Sequence, residues 1–139
     1  MQRKMVFEVL ADIARARSKD RKVEILKEND SGALRDILRG SMDDTIVWLL
    51  PEGAPPYTEC RPESVPSNLL KECKKFAYLV KGGLGPQMSK IKRESMLINI
   101  LEVIHPDDAK VVINTINKTP PKGITREIVQ EAFPNLLKD

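Results

Sequence analysis

The sequence is short of the residues on which most enzyme chemistry depends. It has one histidine, His105, two cysteines, Cys60 and Cys73, and only 4% aromatic side chains. A single imidazole excludes a multi-histidine metal centre, and a Ser-His-Asp triad would rest wholly on His105. That residue stands directly before Pro106 and two aspartates, the setting of a helix start rather than of a general base. The cysteines lack CxxC spacing, and the opening Met1-Gln-Arg-Lys-Met-Val-Phe7 reads as the start of an amphipathic helix rather than a secretory leader. Free thiols in a reducing, cytosolic compartment are therefore expected. No apolar run approaches the length of a membrane span, so no membrane association is expected. With aromatics scarce, the core must be built from Leu, Ile, Val and Met, which suits helices meeting along aliphatic stripes.

What the chain has in excess is proline at one place. Five of its ten prolines lie between Pro51 and Pro66, directly after the apolar run Thr45-Ile-Val-Trp48-Leu-Leu50. Each removes a backbone donor and disfavours helical geometry in the residue before it, so no helix runs through this stretch. Charge is also uneven. Residues 1–65 carry 11 basic and 12 acidic side chains and residues 66–139 carry 12 and 8, so the halves stand at −1 and +4.

Helical periodicity fills both flanks. Val6, Leu10, Ile13 and Ala14 make an apolar stripe within Arg3 to Arg17; Ser18 can cap a second helix that ends near Asn29; Asp30 or Ser31 can cap a third, with Gly40 as its stop. Beyond the prolines, Leu69, Cys73, Phe76 and Val80 predict a fourth helix ending at Gly82 and Gly83. A fifth is expected from Gln87 to Ile104, apolar nearly all round in its second half, a sixth from Pro106 to Asn117, and a seventh capped by Thr125 and stopped by Pro134. The expected fold is all-α: one domain of about seven short helices, with a three-helix group at 1–44, a proline-rich crossing at 45–66 and a four-helix group at 67–139. No repeat period is sustained, so a solenoid is not supported.

Motifs for catalysis or cofactor binding do not emerge. Asp43-Asp44 and Asp107-Asp108 are explained by helix ends, and two carboxylates without further ligands define no metal site. Gly82-Gly-Leu-Gly85 lacks the spacing and the lysine of a phosphate loop and follows a helix. Two surfaces stand out instead. Lys71, Lys74, Lys75, Lys81, Lys90, Lys92 and Arg93 face a single acid, Glu72, across residues 71–93; if the fifth helix turns back antiparallel, they form one basic edge suited to phosphates. The other is the crossing, where Trp48 and Tyr57 flank the first prolines and Cys60 and Arg61 follow, a stiff segment able to face a protein partner. In the alternative reading, Trp48 simply pins the crossing onto the helices.

Ala33-Leu-Arg-Asp-Ile-Leu-Arg39, Trp48-Leu-Leu-Pro-Glu-Gly-Ala-Pro-Pro-Tyr57, Lys92-Arg-Glu-Ser-Met-Leu-Ile-Asn-Ile-Leu-Glu-Val-Ile-His-Pro-Asp-Asp-Ala109 and Gly123-Ile-Thr-Arg-Glu-Ile-Val-Gln-Glu-Ala-Phe-Pro134 resemble a family of small proteins encoded by large contractile-tailed bacteriophages, those of cyanobacteria included. The resemblance spans most of the chain, assigns no catalytic residue and implies a phage product acting in the cytoplasm of the infected bacterium. The expectation is a non-enzymatic accessory protein, without cofactor or metal, that binds a host or phage protein through Trp48, Tyr57, Cys60 and Arg61. The alternative is nucleic-acid binding through the basic edge. The apolar fifth helix leaves a homodimer open.

Overall fold

Capping side chains set most of the helix starts. The structure, a computed structural model, describes residues 4–51, 53–81 and 83–137. Arg3 and Gly82, which bound two of the expected helices, lie outside them. Among the described residues there are seven α-helices: α1 Val6–Arg15, α2 Lys19–Glu28, α3 Gly32–Met42, α4 Leu69–Glu72, α5 Lys90–Val103, α6 Pro106–Ile116 and α7 Arg126–Ala132. Ser18, Ser31, Asn68, Ser89 and Thr125 each accept a hydrogen bond from the N–H three residues on, which satisfies one donor the helix itself cannot pair. Pro106 is the first residue of α6, where its missing N–H costs nothing, and His105 Nδ1 accepts from the Asp107 N–H at 3.0 Å.

The all-α class is as expected, but three boundaries differ. The third helix runs through Gly40 to Met42, because Gly40 serves a close approach rather than a stop. The fifth starts at Lys90 under its Ser89 cap, and Gly85–Gln87 forms a separate 3₁₀ turn instead of the first turn of that helix. The fourth is a single α-turn, after which Cys73–Tyr78 tightens into a 3₁₀ helix. There the spacing that matters is three: Cys73, Phe76 and Leu79 align on the inner side of the 3₁₀ helix and its cap, after Leu69, the enclosed apolar residue of the α-turn. The residues that suggested an α-stripe at spacings of four, three and four include part of that row.

Helix α6 is the hub, packing against α1, α3 and α5, while α2 pairs with α7 and α4 with α3. The two ends of the chain thus interleave around one aliphatic core, with Ile13, Leu26, Ile37, Leu38, Ile100, Leu101 and Val112 fully enclosed. The C-terminal end of α3 is closed by side chains from the second half: Arg126 Nη1 donates to Met42 O (2.9 Å) and Lys118 Nζ to Asp43 O (2.8 Å). Both place cations where the helix dipole is negative. At the opposite face the N–H of Phe7, in the first turn of α1, donates to the buried carboxylate of Asp108 in α6 (2.9 Å), and the Phe7 ring stacks on His105 at 4.5 Å. No helix among the described residues is long and apolar enough to cross a membrane.

The crossing is tied down along its length. Gly53 N–H donates to Asn117 Oδ1 (2.8 Å), Thr58 N–H to Glu102 Oε2 (2.8 Å), and the Cys60 thiol to the Ile104 carbonyl. Ser67 N–H then donates to Val103 O (2.8 Å). Within the proline-rich stretch Ser64 N–H donates to Arg61 O (2.9 Å), and the bonds to Asn117, Glu102 and Ile104 tie the rest to the C-terminal ends of α5 and α6.

Candidate interaction site around Trp48

The run Ile46-Val-Trp-Leu-Leu50 is rich in β-branched and aromatic residues, and it is extended where it meets the end of the 3₁₀ segment. Leu49 N–H donates to Leu79 O (2.8 Å) and Lys81 N–H to Val47 O (2.9 Å), which places Trp48 opposite Val80 in a single antiparallel bridge. Side chains of such opposed residues lie on the same face. On that face Trp48 Nε1 donates to Gly40 O (3.0 Å), and the indole meets Phe76 edge-on at 5.6 Å and 83°. Gly40 permits this approach: a Cβ there would lie 2.6 Å from the indole and 2.6 Å from Thr115 Cγ2.

Between α3 and the 3₁₀ segment, the half-buried Trp48 forms one wall of a cavity of about 250 Å³. Ile46, Cys73, Phe76, Ala77 and Val80 make it apolar, and Asp36, Arg39 and Lys74 line its polar margin. Asp36 is held by Arg39 Nη2 at 2.6 Å. The Cys73 thiol is pushed up to about 11, first by burial and then by the neighbouring Asp36 carboxylate, so it is an unreactive wall of the groove rather than a nucleophile. Burial alone would raise Glu72, but hydrogen bonds from Lys75 Nζ (2.8 Å) and Ser67 Oγ (3.0 Å) outweigh it and hold that carboxyl low.

Of the residues expected to face a partner, Trp48, Tyr57 and Cys60 are half-buried and Arg61 is exposed. Tyr57 packs against the core, and burial raises its phenol. Trp48 and Tyr57 are thus fixed parts of the strap that retain an accessible edge.

The expected basic edge divides. Lys71, Lys74, Lys81, Lys90 and Lys92 are exposed, and Lys75 is paired with Glu72. Arg93 points inward: its Nε donates to Leu49 O (3.0 Å) and its Nη1 to Met88 O (2.6 Å). It holds the extended run against the start of α5. The bonds from Ser67 to Val103 and from Arg93 to Leu49 bring the last residue of α5 to the start of the 69–79 segment and its N-terminal end to the extended run. Lys81, Lys90 and Lys92 share that end, together with Ile91, whose side chain is 77% exposed.

Three carboxylate, thiol or imidazole groups close enough to hold a metal ion do not occur among the described residues. Asp43 is buried just past α3 and accepts from the N–H and hydroxyl of Thr45, Asp44 is exposed, and Asp107 and Asp108 occupy the first turn of α6. The groove residues Gly40, Ile46, Ala77 and Val80 were not distinguishable as a set from sequence. The available signal was the pair Lys74 and Ala77, which a spacing of three places on one side of the 3₁₀ helix.

No curated protein matches the chain. A family model described as a family of unknown function, DUF6433, matches residues 9–121, from within α1 through α6 and across the whole crossing. The chain therefore belongs to this family of unknown function.

Proposed function

We propose that the protein is a non-enzymatic accessory protein that binds a protein partner at the strap and the groove beside it. The observation that carries this reading is the groove itself, an apolar recess at the molecular surface walled by an indole that is fixed in place by Gly40 and Phe76. Preorganised aromatic walls of this kind receive anchoring side chains at low entropic cost. The resemblance to small proteins of large contractile-tailed bacteriophages supports the cytoplasm of an infected bacterium as the setting and a host or phage protein as the partner.

Five exposed lysines between residues 71 and 92 support a second reading, nucleic-acid binding. It is weaker, because Arg93 is committed to main-chain carbonyls and Lys75 to Glu72. Tagged protein incubated with lysate of infected cells should retain a partner that the Tyr57→Ala plus Arg61→Ala variant loses or holds more weakly, while a mobility shift with single- or double-stranded DNA should be absent at low salt. A salt-sensitive shift abolished by Lys74→Glu plus Lys81→Glu would transfer the function to the basic surface. If every protein captured by the parent is captured equally by the strap variant and by Ala77→Arg, the partner-binding reading fails.

A further inference from the structure

The groove carries information about the chemistry of what fills it. Its floor is aliphatic and aromatic, with Trp48, Phe76 and Val80 in fixed positions, and about 250 Å³ accommodates one large apolar side chain. Its margin is positive. The acid on it, Asp36, is already bonded to Arg39. Lys74 lines the margin, and Lys71, in the single turn of α4, stands three residues before it, a spacing that makes neighbours on a helix surface. Both lysines are exposed, and neither forms an ion pair among the described residues. The other nearby acid, Glu72, is buried and held by Lys75 and Ser67. Lys71 feels the Glu72 charge, but that carboxylate is hydrogen-bonded by Lys75 and Ser67, so an acidic segment arriving here meets no carboxylate already paired with Lys71 or Lys74.

We infer that the groove receives a short acidic segment of a partner protein, which inserts one bulky aliphatic or aromatic side chain between Trp48 and Val80 and sets its carboxylates against Lys71 and Lys74. This rests on the partner-binding reading above and narrows it to a class of ligand. A nucleic acid would satisfy the lysines, but it would leave the aliphatic floor without a matching group. A neutral apolar peptide would fill the floor and leave the lysines unanswered. Steering by complementary charge also makes association fast and salt-dependent.

Trp48 is the lone tryptophan of the chain, so its fluorescence reports on the groove directly. The probe is a synthetic peptide with a central Leu-Phe pair between Asp and Glu residues, compared with the same peptide carrying Asn and Gln. The acidic peptide should change Trp48 emission and shift the amide resonances of Ala77 and Val80. It should bind about tenfold more tightly than the neutral peptide at low salt, with most of that advantage lost at about 300 mM salt. Lys71→Glu plus Lys74→Glu should remove the advantage. Ala77→Arg, which adds positive charge but obstructs the groove, should abolish binding of both peptides.

Equal binding of the two peptides, resonance changes elsewhere, or tighter binding by Ala77→Arg overturns the inference, as does displacement of the peptide by oligothymidine or by anionic vesicles with the same residues perturbed. If these results come while the lysate partner is still lost in the Tyr57→Ala plus Arg61→Ala variant, the partner reading stands and only the acidic anchor falls.

Discussion

Replacing Gly40 with alanine should destabilise the protein by about 1–3 kcal/mol, the usual cost of forcing extra atoms into a packed interior. The sign is the informative part, because glycine within an exposed helix is about 1 kcal/mol less favourable than alanine, and the same change there stabilises. Gly40 is helical and buried, and a Cβ would stand 2.6 Å from both the Trp48 indole and Thr115 Cγ2. Neither neighbour can retreat without giving up a contact. The indole is bonded to the Gly40 carbonyl and packed edge-on against Phe76, and Thr115 is enclosed and hydrogen-bonded through Oγ1 to Val111 O (2.8 Å). Urea denaturation followed by circular dichroism measures the loss. Adding Thr115→Ser, which removes Cγ2 and keeps the hydroxyl, should recover part of it. An unchanged or raised midpoint for Gly40→Ala would show that the strap does not sit on α3 as described.

Asp108→Asn should stabilise the protein at neutral pH by about 1–3 kcal/mol, bounded by the shift of the carboxyl it replaces. Asp108 is 2% exposed. Burial pushes its carboxyl up from 3.8 to about 6; the Phe7 N–H and His105 oppose that rise, and Glu8 and Asp107 add to it. A carboxyl whose pKa is higher folded than unfolded binds its proton more tightly in the native state, so its contribution is complete below about pH 4 and is lost as pH rises through about 6. Above that range the fold carries an ionised group it solvates poorly. Asparagine keeps an oxygen for the Phe7 N–H and removes the charge, at the cost of a favourable interaction with the start of α6. The stability difference between the parent and Asp108→Asn should therefore be small near pH 4, grow towards pH 6 and level off above it. Asp108→Ala, which leaves the Phe7 donor unpaired, should not share the gain. A pH-independent difference would mean that Asp108 is not the group that titrates.

Most helices were legible because their signals are local. Ser18, Ser31 and Thr125 cap the helices they precede, and Pro106 opens α6. What escaped depends on contacts distant in sequence. Gly40 looks like a helix stop until Trp48 and Thr115 are beside it, because only the tertiary neighbours distinguish a glycine that ends a helix from one that admits a ring. Leu69, Cys73, Phe76 and Val80 fit a spacing near 3.6 and so suggest one α-helix, whereas beyond the α-turn Cys73, Phe76 and Leu79 follow a spacing of three. That difference decides which lysines border the groove. Arg93 belonged to a basic run in sequence, yet it bonds to the carbonyls of Leu49 and Met88, a use that no charge pattern reveals. Tyr57 and Cys60 are visible in sequence as members of a stiff crossing, but the packing of Tyr57 against the core and the bond from Cys60 to Ile104 O, at the end of α5, are not.

The most direct measurement is photo-crosslinking from the groove in infected cells, with benzoylphenylalanine installed in place of exposed Ala77 and, as a control, in place of exposed Lys110. The Ala77 position should yield a discrete adduct with one acidic protein that the Lys110 position does not, and the adduct should diminish when Lys71→Glu and Lys74→Glu are added. The same set of adducts from both positions, or crosslinks to nucleic acid alone, would contradict a partner-binding groove beside Trp48.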